Sequence, residues 1–136
     1  NKLNIFTRDL AAGVHKFGTD TFKVLLTNTA PTSANAVKAD LTEISAGNGY
    51  TAGGSTSATT LTTASGVAKA TAADVTFTAA GGSIGPFRYA VLYNDTPTSP
   101  ADPLIGWVDY GAAVTLADGE SLLVDFDGAA GALTFT

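Results

Sequence analysis

The sequence predicts an all-β protein: an antiparallel β-sandwich, jelly-roll-like, with one or two short helical turns. Three observations carry this expectation. Roughly eight or nine short runs rich in β-branched and aromatic residues recur along the chain, and several alternate apolar and polar residues with the period of two that a half-buried strand requires. Gly, Pro, Asn and Asp interrupt these runs about every 8–12 residues, the spacing of sandwich folds. The most apolar pair of runs, 86–94 and 104–110, holds three of the four tyrosines and the single tryptophan, and the loop between them carries three of the five prolines. No segment recurs with the roughly 20–50-residue period of a solenoid or propeller.

A chain of 136 residues is the size of one domain, taken as 1–136 with residues 1–13 as an N-terminal arm. The hydrophobic fraction of 45% leans on alanine, so large core side chains are few. Only 14% of residues are charged and the net charge is −5. With no basic patch to displace counterions from phosphates, direct nucleic-acid binding is not expected. No apolar run approaches the ~20 residues that span a bilayer, so membrane insertion is not expected. Residues 1–10 lack the apolar core of a signal peptide. Without cysteine there is neither a disulfide framework nor a thiolate metal site.

Taken in order, residues 7–13 predict one or two helical turns, with Thr7 as N-cap and Gly13 as the stop. An extended arm lying on a neighbour fits the same residues. Residues 14–18 read as strand or turn. A strand follows over 21–28, with Phe22, Val24 and Leu26 on one face. Val37, Leu41 and Ile44 fall at i, i+4 and i+7, which predicts a short helix over 37–44. The glycine-rich stretch 45–54 reads as turns rather than a phosphate cradle, because no Lys-Ser/Thr follows the glycines. The Ser/Thr tract 55–63 is an edge strand or an exposed loop. Strands are expected over 66–71 and 74–79, the second with Val75, Phe77 and Ala79 on one face.

In the aromatic hairpin, Phe87, Tyr89, Val91 and Tyr93 alternate with Arg88, Ala90, Leu92 and Asn94. On the return, Ile105, Trp107 and Asp109 alternate with Leu104, Gly106, Val108 and Tyr110. Both faces are apolar, which predicts a strand pair covered on both sides. One cover is the opposite sheet; the other is a further layer of this chain or a second subunit. The proline loop 95–103 cannot continue either strand. Short strands over 113–116, 121–126 and 132–136, with a tight turn at Asp127–Gly128, complete the chain.

Chemistry is sparse. His15 is the only histidine. It lacks a second His or Cys for a metal site and a nucleophile setting such as G-x-S-x-G, so it reads as a structural or interface histidine. Asp125 and Asp127 share a strand face, an arrangement that binds calcium or cleaves glycosides in other settings. No Glu completes a calcium loop here, and a solvated strand end is the plainer reading. No catalytic, cofactor-binding or metal residue is assigned, and no enzyme activity is expected. Interaction remains. The candidate interface residues are Phe6, His15, Phe17, Tyr89, Tyr93, Pro97, Pro100, Trp107 and Tyr110, since aromatics anchor interfaces and stiff loops lose little entropy on docking.

Residues 13–31 (GVHKFGTDTFKVLLTNTAP) followed by 44–54 (ISAGNGYTAGG) resemble a family of small virion proteins of tailed bacteriophages. The likeness lies mainly in residues 1–55 and contains no catalytic motif. It implies a non-enzymatic structural protein of the capsid decoration or cement type, located on the virion's capsid surface. Its implied partners are the major capsid protein and further copies of itself, as a homo-oligomer (dimer or trimer), with no cofactor. The alternative is a tail or fibre-tip module that recognises a host receptor or glycan through the aromatics and the Thr-rich tract. A hydrolase built on Asp125 and Asp127 is the third reading.

Overall fold

The structure, a computed structural model, describes residues 1–127 and 133–135. A helix, α1 (Asn4–Ala11), precedes β1 (Phe22–Thr27), β2 (Ser55–Ser57), β3 (Thr59–Ala64), β4 (Val67–Ala72), β5 (Val75–Thr78), β6 (Ile84–Asn94), β7 (Leu104–Leu116), β8 (Ser121–Val124) and β9 (Leu133–Phe135). The ladders are antiparallel. They make a four-stranded sheet in the order β2-β1-β6-β7, a three-stranded sheet β3-β4-β9 and a two-stranded sheet β5-β8. The expected all-β, sandwich-like architecture is what the chain adopts.

Strand β6 is the spine. It is hydrogen-bonded to β1 from Tyr89 to Asn94 and to β7 along its other edge. Both its faces are buried. On one, Ala90 and Leu92 join Phe22, Val24 and Leu26 of β1 against Ala70 of β4, Val75 and Phe77 of β5 and Val124 of β8. On the other, Val91 and Tyr93 join Leu25 and Leu104 against Leu3, with Ile5, Leu41 and Trp107 packed around them. The second cover therefore comes from this chain: its first residues and the connection after β1.

Residues 1–13 are not a free arm. Leu3 N donates to Ile105 O (3.2 Å), and the main chains of Asn1 and Trp107 are hydrogen-bonded in both directions at 2.9 Å. The segment thus lies along the outer edge of β7. Leu3 is 0% exposed, and burying such a side chain contributes roughly 1.5–3 kcal/mol. The exposed Arg8 pairs with the buried carboxylate of its neighbour Asp9 at 2.7 Å.

Packing also moves the helix start. Helix α1 begins at Asn4 rather than after Thr7, with Leu3 at the N-cap and no side-chain cap. Leu3 and Phe6 lie three apart and must reach the two cores, which outweighs the preference for Thr at the cap. Gly13, at φ 74°, does follow the helix in a left-handed conformation. The helix expected over 37–44 is a single 3₁₀ turn, Lys38–Asp40. The Asp40 carboxylate accepts the N–H groups of Ala36 (2.8 Å) and Val37 (3.1 Å), which ties the turn. Val37 and Glu43 are extended, bridging to Pro103 and Thr27.

Register shifts correct the hairpin faces. Tyr93 is opposite Leu104 but Leu92 is opposite Gly106, so Ile105 is an extra residue. It points into the larger core while Trp107 packs on the smaller one. A second shift between Phe87 and Tyr89 turns Phe87 into the larger core, away from Val91 and Tyr93. The strand expected at 113–116 is the far end of β7, continuous through Gly111. The strand expected over 121–126 stops at Val124. The Ser/Thr tract is two strands, β2 and β3, each at the end of its sheet. Gly128 of the expected final turn lies outside the described residues, as do 132 and 136 of the last strand.

Two glycines separate backbone freedom from close approach. Gly54 (φ 75°) lies so near β1 that a Cβ there would collide with the carbonyl of Val24, whereas Gly13 (φ 74°) has open space around it. Gly13→Ala is expected to cost about 1–2 kcal/mol, the price of a left-handed alanine. Gly54→Ala is expected to cost clearly more or to prevent folding, because β1 itself must shift. Urea unfolding of the two variants side by side checks this; equal losses would contradict it.

Candidate functional site

The nine candidate interface residues separate by burial. Phe6, His15, Phe17, Tyr89 and Tyr93 are each at most 7% exposed. In this structure they are core residues. Pro97, Pro100, Trp107 and Tyr110 are half-buried and retain surface.

The buried aromatics sit in a few defined contacts. The Phe17 ring stacks on Phe22 at 4.7 Å, and Phe6 lies 5.3 Å from the His15 ring. Tyr110 meets Phe87 edge-on at 6.4 Å. The Arg88 guanidinium lies 5.3 Å from the Tyr89 ring centroid and is paired with Asp109 at 2.7 Å. That arginine lowers the Asp109 pKa.

Two phenols and one carboxylate knot the glycine turns to the central sheet. Tyr50 Oη accepts from Leu26 N–H (3.0 Å) and donates to Glu43 Oε1 (2.6 Å). The same oxygen of Glu43 accepts Gly53 N–H (2.6 Å), and Tyr93 Oη donates to Gly53 O (2.7 Å). Burial raises both tyrosine pKa values, with Glu43 adding to the effect at Tyr50 and Asp95 at Tyr93. Both phenols therefore stay protonated and donate. Nothing in the sequence pointed to this knot beyond the glycine run, because Glu43, Tyr50 and Gly53 of the connection after β1 meet Leu26 and Tyr93 only through long-range pairing.

A second polar cluster lies under the proline loop. Asn94, fully buried at the end of β6, donates to Asp20 Oδ2 (2.7 Å), and its Nδ2 lies 3.4 Å from His15 Nδ1. Asp9 of α1 is also buried. Nothing in the sequence singled out Asn94, Asp20 or Asp9, since an isolated polar residue at a strand or helix end is ordinarily solvated.

Two cavities flank the hairpin. An apolar one of ≈ 240 Å³ opens beside β7 and is lined by Phe6, Phe17, Leu92, Ile105, Trp107 and Phe126 among others. It brings together three of the expected residues. A more polar one of ≈ 340 Å³ separates Gly13, Lys16 and Asp20 from Thr96, Pro97, Thr98 and Ser99 of the proline loop.

Asp125 and Asp127 follow the end of β8 and are exposed, so the shared strand face expected for them is not formed. Among the described residues, no group of three or more His, Cys, Asp or Glu is placed to hold a metal ion. No described helix is long and apolar enough to cross a membrane. The chain was compared with protein-family models, curated proteins and solved structures, and none of them matches it.

The phenol knot is testable. Tyr50→Phe leaves the buried Leu26 N–H unpaired, and such a loss costs roughly 1–3 kcal/mol. The expected result is a lower denaturation midpoint at unchanged m-value. An unchanged midpoint would show that the knot is not a stabilising element.

Proposed function

We propose that this protein is a non-enzymatic structural component of a tailed-phage virion, a decoration or cement protein on the outer capsid surface. The jelly-roll-like arrangement and the homo-oligomeric state belong to the same proposal. One observation carries it. The two stretches that resemble phage virion proteins, 13–31 and 44–54, come together in this structure. They form the turns around β1, β1 itself and the glycine loop that the phenol knot ties to it. The resemblance therefore falls on the framework of the fold, where a family likeness is a likeness of architecture.

Surface chemistry supports the same reading. The β3–β4 hairpin carries a single charged residue, Lys69, and Leu61 of β3 is 52% exposed. A repeating capsid lattice offers many equivalent sites, on which modest contacts add up through multivalency. Docking would then fall to Pro97, Pro100, Trp107 and Tyr110, the members of the expected set that keep accessible surface.

The test is binding to capsids of the source phage that lack this protein. Saturable capture at many equivalent sites per particle is expected. Replacing both loop prolines, Pro97→Gly with Pro100→Gly, should weaken capture about ten-fold or more while the circular dichroism spectrum is unchanged, because the loop loses its stiffness. A handful of copies confined to the tail would overturn this reading in favour of a receptor- or glycan-binding module.

A further inference from the structure

The buried cluster at Asn94 joins two loops: the connection between α1 and β1, which carries His15 and Asp20, and the start of the proline loop. Two hydrogen bonds fix the orientation of the Asn94 amide. Asn94 Nδ2 donates to Asp20 Oδ2 at 2.7 Å, and Asn94 Oδ1 accepts Thr96 N–H at 3.2 Å. Reversing the amide would set oxygen against carboxylate and NH₂ against N–H, so this orientation is the one the surroundings permit. The same Nδ2 faces His15 Nδ1 at 3.4 Å. Its second hydrogen is within reach of both Val14 O (3.5 Å) and His15 Nδ1, and the neutral ring with its hydrogen on Nε2 is the form in which Nδ1 accepts it. A proton added at Nδ1 would point at a donor.

The ring has little means of escaping that conflict. His15 is 4% exposed, and it lies between Phe6 (5.3 Å) and Phe22 (6.5 Å). His15 Nε2 and Asp9 Oδ2 are both buried without a hydrogen-bond partner among the described residues. Opening the cluster gives both of them water.

We propose that His15, Asn94, Asp20 and Thr96 form an acid-released clasp: protonation of His15 breaks its contact with Asn94 and lets the proline loop, 95–103, part from residues 12–20. The cavity of ≈ 340 Å³ between those two segments is where the parting occurs. The clasp holds whatever surface the loop docks on.

Two carboxylates act on the ring. Asp9, from α1 and itself bridged to Arg8, and Asp20, from the loop before β1, both favour the cation. Asn94 and Thr96 are uncharged, and Phe6 and Phe22 are apolar. Burial is the largest effect and lowers the His15 pKa from 6.5. The unfolded chain thus takes up a proton at a higher pH than the folded one. The stabilising contribution is complete above 6.5 and is lost as pH falls below that value toward the folded pKa.

One histidine in the chain makes its titration unambiguous. The ring is expected to titrate below 6.5 by NMR, with the Asn94 side-chain amide resonances moving along the same curve. Amide exchange in 12–20 and 95–103, referenced to β1 and β6 and corrected for intrinsic rates, should accelerate about ten-fold or more between about pH 7.5 and about pH 5. His15→Gln offers Asn94 a non-titrating acceptor and should remove that acceleration. A ring that titrates at or above 6.5, or exchange in the two segments that does not change, overturns the clasp. Should the variant not fold, the titration and exchange of the unaltered protein decide the matter.

Discussion

Strand β6 has no free side, and the remaining elements are placed to enclose it. Its edges are taken by β1 and β7, and its faces by two separate cores. From Tyr89 to Asn94 a strand enclosed in this way is buried at every residue, with Val91 and Tyr93 each 0% exposed. At roughly 25 cal/mol per Å² of apolar surface, such a strand is the main source of stability in a chain with few large residues. The same enclosure explains why the glycine turns approach so closely. Gly54 lets the chain pass against the Val24 carbonyl, and Gly53 offers its own carbonyl to Tyr93. A bulkier residue at Gly54 would lift that cover off the sheet.

Much of this was legible from pattern. The alternation Phe22, Val24, Leu26 and the pair Val75, Phe77 identify strand faces, because a pleated strand shows every second side chain to one side. The two-sided apolar hairpin announced that two covers were needed. The identity of the second cover was not legible, since Leu3 meets Val91 only through long-range packing that no local period records. Faces were misassigned where the ladder carries an extra residue. Ile105 and the shift beside Phe87 each invert the alternation beyond them, and a one-residue slip moves every later side chain to the other face. The helical spacing of Val37, Leu41 and Ile44 misled for a different reason: an irregular connection crossing an apolar face also presents apolar residues three or four apart.

The candidate site shows the reverse balance. Aromatic residues were readable as anchors, yet the fold consumes most of them. Tyr93 is 0% exposed, and Phe17, at 7%, keeps only the edge that lines the apolar cavity. The polar residues that shape the outer loops were invisible in the sequence, because Glu43, Asp20 and Asn94 acquire meaning only when their loops converge. Asn94 takes four assignments at once, touching Asp20, His15, Val14 and Thr96. A buried amide with both ends engaged orders every loop that reaches it, and this one lies directly beneath the prolines.

That geometry bears on how a docking surface could work in the proposed role. Two cations next to this surface are already paired, Lys23 with Asp95 and Arg88 with Asp109, both at 2.7 Å. Contacts made by such a surface depend on shape and on apolar area, and are little weakened by salt. Shape in turn depends on how well the loops are held. The proline loop is tied to β1 by Thr21 N–H on Thr96 Oγ1 (2.8 Å) and by Asp95 N–H on Thr21 O (2.8 Å), and it is tied to His15 through Asn94. The first two ties do not titrate near neutrality, while the third does. The loop therefore keeps its attachment to the sheet over a wide pH range, while in the proposed clasp its packing against residues 12–20 weakens once His15 is protonated. In the proposed clasp, the part of the outward surface's rigidity that rests on residues 12–20 follows the protonation state of one buried ring.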